Sequence, residues 1–339
     1  MQLVTPVSSY QEPPTVAEQI TLSIIVPVYN EQEMLAKFHH ELTQTLALLA
    51  NDTVEIVYIN DGSKDNSWAI MQALDCTHAN VELINLSRNF GKEAAMTAGL
   101  ELCKGDSAIL LDADLQDPPA LIPQMLDMWR QGFDVVNMRR KDRAGESYLK
   151  KLSAHVYYRL LNKLSDVDIA TDVGDFRLLS RRVIDDINKL PEKNRYMKGI
   201  MAWPGYKQTF IEFDRPERVA GETKWSFIQL IQLGLSGITS FSVKPLKIAT
   251  WLGGIVSLSA FIYSAFILLK SLFFQIDVAG YPSLMLIQLW LGGAQLMAIG
   301  LLGEYVGRIY TESKQRPVYL VMEKISHQTS KLVRVRGAK

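Results

Sequence analysis

Two long uncharged runs constrain this chain more than any other feature of it. Between Lys247 and Lys270 lies IATWLGGIVSLSAFIYSAFILL, about 22 residues without a charged side chain. A second run, Tyr281 to Gly303, is uncharged for about 23 residues although it carries Gln288 and Gln295. At ~1.5 Å per residue each is long enough as a helix to cross the ~30 Å hydrocarbon core of a bilayer. Two spans joined by a short loop form a hairpin, so both flanks share one side. Lys244 and Lys247 precede the first run, Arg308, Lys314 and Arg316 follow the second, and the loop holds little beyond Lys270 and Asp277. The positive-inside rule puts the flanks, and the large N-terminal region with them, in the cytoplasm. Spans are expected over 246–270 and 281–304, with a cytoplasmic tail over 305–339. Gly303 and Gly307 form a small-xxx-small pair that lets helices approach.

Just before the first run, WSFIQLIQLGLSGITSFS sets Gln229, Gln232, Ser236 and Ser240 at spacings of three and four. One polar stripe on an otherwise apolar helix predicts an interfacial helix over 225–243. At the other end, residues 1–19 have no basic stretch leading into an apolar one, and their Pro, Ser and Gln content predicts a flexible tail. With Lys+Arg 36 against Asp+Glu 36, no basic excess points to nucleic acid. Cys76 and Cys103 fit no CxxC pattern, and the five histidines show no zinc spacing.

Residues 20–224 read as one α/β domain. LSIIVPVYN is a continuous apolar run, the pattern of a strand buried on both faces, and a helical stretch follows over about 31–50. VEIVYIN then leads into DGSKDNS, VELINLS into RNFGKEAAMTAGLELC, and SAILLD into ADLQDPP. Alternating strands and helices imply a mainly parallel sheet, and ligands of such sheets bind beyond the carboxyl ends of the strands. Pro27–Glu31, Asp61–Ser63, Arg88–Asn89 and Asp112–Asp117 all fall at those ends, so four separate segments converge on one crevice.

No GxGxxG follows a strand and no GxxxxGK[ST] is present, which argues against a glycine-rich phosphate loop. A divalent cation gripped by carboxylates is another way to hold a diphosphate: Mg²⁺ or Mn²⁺ takes one or two carboxylates and fills its shell with phosphate and water. Asp112 and Asp114, one residue apart after a buried strand, suit such an ion, which would relieve their repulsion. Asp61 suits a base or ribose hydrogen bond, while Asp-Gly is also a turn pair and Ser63 a cap for the next helix.

SIIVPVYNE, INDGSKDNS, SRNFGKEAAMTAGL and LLDADLQDPP, in this order, resemble the inverting glycosyltransferases of the GT-A fold. VGDFRLLSRRV, ERVAGETKWSF and the C-terminal pair of apolar runs narrow the resemblance to the polyprenyl-phosphate glycosyltransferases, relatives of dolichol-phosphate mannose synthase. Their bacterial branch includes the glucosyltransferases that supply O-antigen modification of lipopolysaccharide. The match covers about residues 20–310. It implies that Pro27, Tyr29, Glu31 and Asp61 hold the base and ribose of a nucleotide sugar, with Arg88 near the same nucleotide. Asp112, Asp114 and Gln116 match the metal-carrying segment, and Asp112 also touches the donor sugar. Asp175 matches the catalytic carboxylate and Arg177 its support. Arg140, Arg143, Arg218 and Lys224 would bind donor or lipid phosphate. By the same resemblance the donor is UDP-glucose, the acceptor undecaprenyl phosphate, the assembly a homotetramer and the site of action the inner membrane.

An acceptor phosphate is already anionic, so the main tasks are to align it with the anomeric carbon and to neutralise the departing diphosphate. One displacement turns an α-linked nucleotide sugar into a β-linked lipid phosphate. The residues do not choose between glucose and mannose, galactose or an aminoarabinose derivative, because donor selectivity depends on pocket shape. A processive synthase would add a QxxRW segment, which is absent. A non-catalytic nucleotide-sugar-binding scaffold would survive the loss of Asp114, whereas an enzyme would not.

Overall fold

The computed structural model describes residues 19–49, 51–77, 79–141, 173–214, 244–274 and 280–327. Within them the chain runs β1 (Leu22–Val28), α1 (Leu35–Leu46), β2 (Val54–Asn60), α2 (Ser67–Gln72), β3 (Asn80–Leu86), α3 (Lys92–Leu102) and β4 (Ser107–Leu110). A 3-10 turn at Pro119–Leu121 leads into α4 (Ile122–Arg130), followed by β5 (Val135–Arg140), β6 (Val173–Ser180), α5 (Arg181–Lys189), α6 (Met197–Ala202) and β7 (Gln208–Phe213). Two long helices, α7 (Lys244–Phe274) and α8 (Tyr281–Ser313), precede β8 (Val321–His327).

The strands form one sheet in the order β7-β5-β6-β4-β1-β2-β3-β8. Its centre, β3-β2-β1-β4, is parallel, while β6 runs antiparallel to both β4 and β5. The apolar runs explain the centre. Every residue of β2 is buried, and successive residues of β1 feed different cores. Ile24, Val26 and Val28 pack with α1 and α4, whereas Ile25 packs with α3 and α5 on the opposite face. Gly99 permits the close approach on that second face, since a Cβ there would lie 2.2 Å from Ile25 Cγ2. Pro27 is tolerated in this central strand because the β4 ladder ends at Ile25–Leu110, before the missing N–H would be needed.

The C-terminal stretch differs from the tail expected of it. Val321–His327 pairs antiparallel with β3 and closes that edge of the sheet. Among the described residues one segment, Ile287–Ser313 in α8, is long and apolar enough to cross a membrane by length and composition; the apolar stretch in α7, Ala249–Tyr263, is shorter. Large side chains along both helices, including Trp251, Phe261 and Trp290, are exposed. The predicted interfacial helix over 225–243 lies outside the described residues, as do residues 1–18 and 328–339.

Candidate active site

The strand ends and loops enclose a cleft of about 1390 Å³. Its floor is tied together by polar contacts between segments that are far apart in sequence. Asn30 N–H donates to Ser63 Oγ at 3.0 Å, Lys64 N–H to Asn30 Oδ1 at 2.8 Å, and Glu31 N–H to Ser67 Oγ at 2.9 Å. Ser63 thus braces the β1 loop and does not cap α2, whose N-cap residue is Asn66. Gly62 makes the crossing possible: its φ is +62°, and a Cβ there would lie 2.4 Å from the backbone of Arg88 and Asn89. Only glycine satisfies both demands at little cost.

Asp61 is buried and accepts from Phe90 N–H at 2.7 Å and Gly91 N–H at 2.9 Å. It therefore sits at the N-terminus of α3, where a carboxylate is favoured by the helix dipole. Burial nonetheless pushes its carboxyl above the ordinary value, against the pull of those two amides and of Arg88. Pro27, Tyr29 and Glu31 line the same end of the cleft. Arg88 does not; its guanidinium lies 4.2 Å from the Phe90 ring centroid, and Nη1 donates to Asn89 O.

After β4 the chain turns sharply. Leu115 has a φ of 58°, an unusual conformation for a leucine, and its side chain is buried. That strained residue sits between Asp114 and Gln116, which both line the cleft, and Gln116 N–H donates to Asp114 Oδ1 at 3.0 Å. Asp112, Asp114 and Gln116 thus present oxygen donors on a single turn. This hard donor set fits Mg²⁺ or Mn²⁺, with one or two carboxylates from the protein. No group of three or more His, Cys, Asp or Glu converges among the described residues.

The largest departure from the sequence reading is Lys92. Its Nζ donates to Asp112 Oδ2 at 2.7 Å and to Asp175 Oδ2 at 2.7 Å, so one ammonium joins a carboxylate just after β4 to one in β6. Burial would lower the Lys92 pKa, but the two carboxylates outweigh it and raise it. Burial would likewise raise Asp175; Lys92 first, then Lys198 and Arg177, hold it well below the usual carboxylate range. A lysine in the first turn of a helix opposes the dipole, a local cost that its two carboxylate partners offset. Glu93 beside it accepts from Met197 N–H at 3.1 Å. Burial and then the Asp175 charge push Glu93 up to about 7.

Arg177 stands two residues from Asp175 on β6 and is buried, with Nη2 donating to Gly174 O at 2.7 Å and Nε without a hydrogen-bond partner. It does not line the cleft, unlike Arg140. It acts on the site through charge, with burial opposing its own ionisation and Asp175 and Glu93 supporting it. Arg143, Arg218 and Lys224 lie outside the described residues.

Fold and cleft together define an α/β protein whose candidate site lies at the carboxyl ends of a parallel sheet. The model of glycosyl transferase family 2 matches residues 23–187. An uncharacterised glycosyltransferase of Synechocystis is 46% identical over 90% of this chain and 95% of its own length. The bactoprenol glucosyl transferase of Shigella phage SfV is 45% identical over 88% and 97%, and the prophage bactoprenol glucosyl transferase homolog of Escherichia coli is 45% identical over 88% and 98%. This chain belongs to glycosyl transferase family 2.

Proposed function

We propose that this protein transfers glucose from UDP-glucose to polyprenyl phosphate with inversion at the anomeric carbon, at a membrane surface. The observation that carries this reading is the composition of the cleft. It is lined on one side by Asp112, Asp114 and Asp175 at the strand ends, and on another by Tyr310, Thr311 and Lys314 at the end of the long apolar helix α8. A cleft shared by a carboxylate site and the end of such a helix suits a soluble donor and a lipid acceptor. The high identity to bactoprenol glucosyl transferases over nearly the whole chain supports both glucose and the bactoprenol class of acceptor.

The phosphate oxygen of the acceptor attacks C1 of the glucosyl unit, and the bond from C1 to the β-phosphate oxygen breaks, releasing UDP. Polyprenyl phosphate is a monoester whose second pKa is about 6, so at neutral pH it needs no base to become a nucleophile. Asp175, held ionised by Lys92, is a poor proton acceptor; its part is to orient and to balance charge. Asp112, Asp114 and Gln116 would hold a divalent ion, which would supply positive charge to the departing diphosphate. Tyr29, about a third exposed at the cleft, offers a ring on which the base can stack. Lys92, and Arg140 at the same cleft, offset the negative charge carried by both substrates. Residues 246–270 and 281–304 would form the membrane hairpin, with the catalytic domain cytoplasmic and Gly303 and Gly307 available to helix contacts in a homo-oligomer such as a tetramer.

An organic-extraction assay with undecaprenyl phosphate and a panel of radiolabelled nucleotide sugars, with and without EDTA, tests this. Glucose alone should enter the organic phase, and only without the chelator. Transfer of a different sugar would correct the donor. Nucleotide binding without any transfer would favour the scaffold reading.

A further inference from the structure

After α8 the chain does not leave the domain. Residues 314–320 run along the cleft, which Lys314, Arg316, Pro317 and Val318 help to line, as a strap anchored at both ends. At the near end, the Glu312 carboxylate accepts from Lys193 N–H at 2.9 Å and from Asn194 N–H at 3.0 Å. At the far end, Tyr319 OH donates to Glu101 Oε2 on α3 at 2.6 Å, Ser87 N–H donates to Leu320 O at 2.9 Å, and β8 pairs with β3. Between these anchors Lys314 and Arg316 line the cleft, and the tethered segment, a loop leading into α6, contributes Lys193 and Lys198 to it. Lys198 also acts on the Asp175 carboxyl, which places this basic group beside the catalytic carboxylate.

Four cations held on two braced segments make a site for an anion. They stand where the apolar helix ends, which is where the phosphate of a lipid with its tail along α8 would arrive. We propose that Lys314 and Arg316 bind the phosphate of the lipid acceptor, and that Glu312 is a positioning residue that sets the Lys193–Lys198 segment against them. This rests on the polyprenyl-phosphate reading. The other phosphate in the reaction is the donor's diphosphate, and the experiment separates the two.

Full-length protein in detergent is compared with K314Q/R316Q, with the charge-preserving K314R/R316K and with E312Q. Three quantities are read: the KM for undecaprenyl phosphate, the KM for UDP-glucose, and the affinity for undecaprenyl phosphate and for UDP by calorimetry. K314Q/R316Q should raise the acceptor KM and weaken lipid-phosphate binding at least tenfold, with the donor KM and UDP affinity within twofold. K314R/R316K should restore most of the acceptor affinity, which excludes misfolding as the cause. E312Q should raise the acceptor KM by a smaller factor with kcat nearly kept. Weakened UDP-glucose and UDP binding with an unchanged acceptor KM would overturn the proposal and assign the strap to the donor; no change in either would overturn it as well. Wild-type protein that binds undecaprenyl phosphate but transfers nothing to it would refute the functional reading alone, leaving the variants' lipid binding to decide the strap.

Discussion

Lys92 bridges Asp112, just after β4, and Asp175 in β6, and it changes what Asp175 is able to do. A carboxylate stabilised as an anion by an adjacent ammonium orients and repels; it does not accept protons well near neutral pH. Glu93 is the opposite case, a carboxyl lifted to about 7 by burial and the neighbouring Asp175. Its folded pKa exceeds the unfolded value, so the folded state holds the extra proton and stability declines as pH rises from about 4.5 to about 7. E93Q keeps an acceptor for Met197 N–H and should remove this decline. Urea midpoints of the two proteins should diverge in favour of E93Q across that window and run parallel above it. At Asp114, D114N should lower turnover about a hundredfold or more, because a metal contributes several kcal/mol to charge stabilisation and each 1.36 kcal/mol is tenfold. Steady-state rates at saturating Mg²⁺ check this, with an unchanged urea unfolding midpoint to exclude unfolding. Asp112 and Asp114 were legible because they follow a strand pattern, and Asp175 was named through the resemblance of its GDFRL motif. Lys92 was not legible, since nothing in a linear sequence says which carboxylates a long side chain will reach.

The site's accuracy depends on loops at the strand ends, and these are fixed by backbone conformation as much as by side chains. Gly62 is the tightest point, in a left-handed conformation with the backbone of Arg88 and Asn89 where a Cβ would stand. G62A should destabilise the fold by more than about 2 kcal/mol, combining the left-handed penalty with a steric clash. Chemical denaturation measures it, and an unchanged midpoint would mean that the loop relaxes freely. The strands β1 to β4 were visible in the sequence as continuous apolar runs, because a strand covered on both faces has no polar side to interrupt it. β8 was not visible. VMEKISH is largely exposed and carries charges, and it becomes a strand only because β3 offers it an open edge, with Lys324 meeting the buried Glu82 at 3.3 Å. The helix following β1 is shorter than its pattern suggested, Leu35–Leu46, because residues 29–32 are taken up by contacts to the 63–67 loop.

Across the whole molecule, the sheet gathers the candidate cleft at one end, and the chain returns from its long apolar helices to line that same cleft. On the proposed function, this return would let one cleft serve a soluble donor and a lipid acceptor, because the polar end of α8 already lines it. The sequence pattern announced the sheet and the apolar helices separately. Their meeting at the cleft was not legible, because it depends on the strap and on backbone contacts such as those of Glu312, which no periodicity encodes. The central claim is a single displacement by a lipid phosphate, and the configuration of the product tests it most directly. Wild-type protein is supplied with UDP-glucose and a short-chain polyprenyl phosphate, and the anomeric configuration of the extracted glycolipid is read by NMR. A β-linked glucosyl phosphate is the expected result. An α-linked product, or free glucose with no lipid product, would contradict the account.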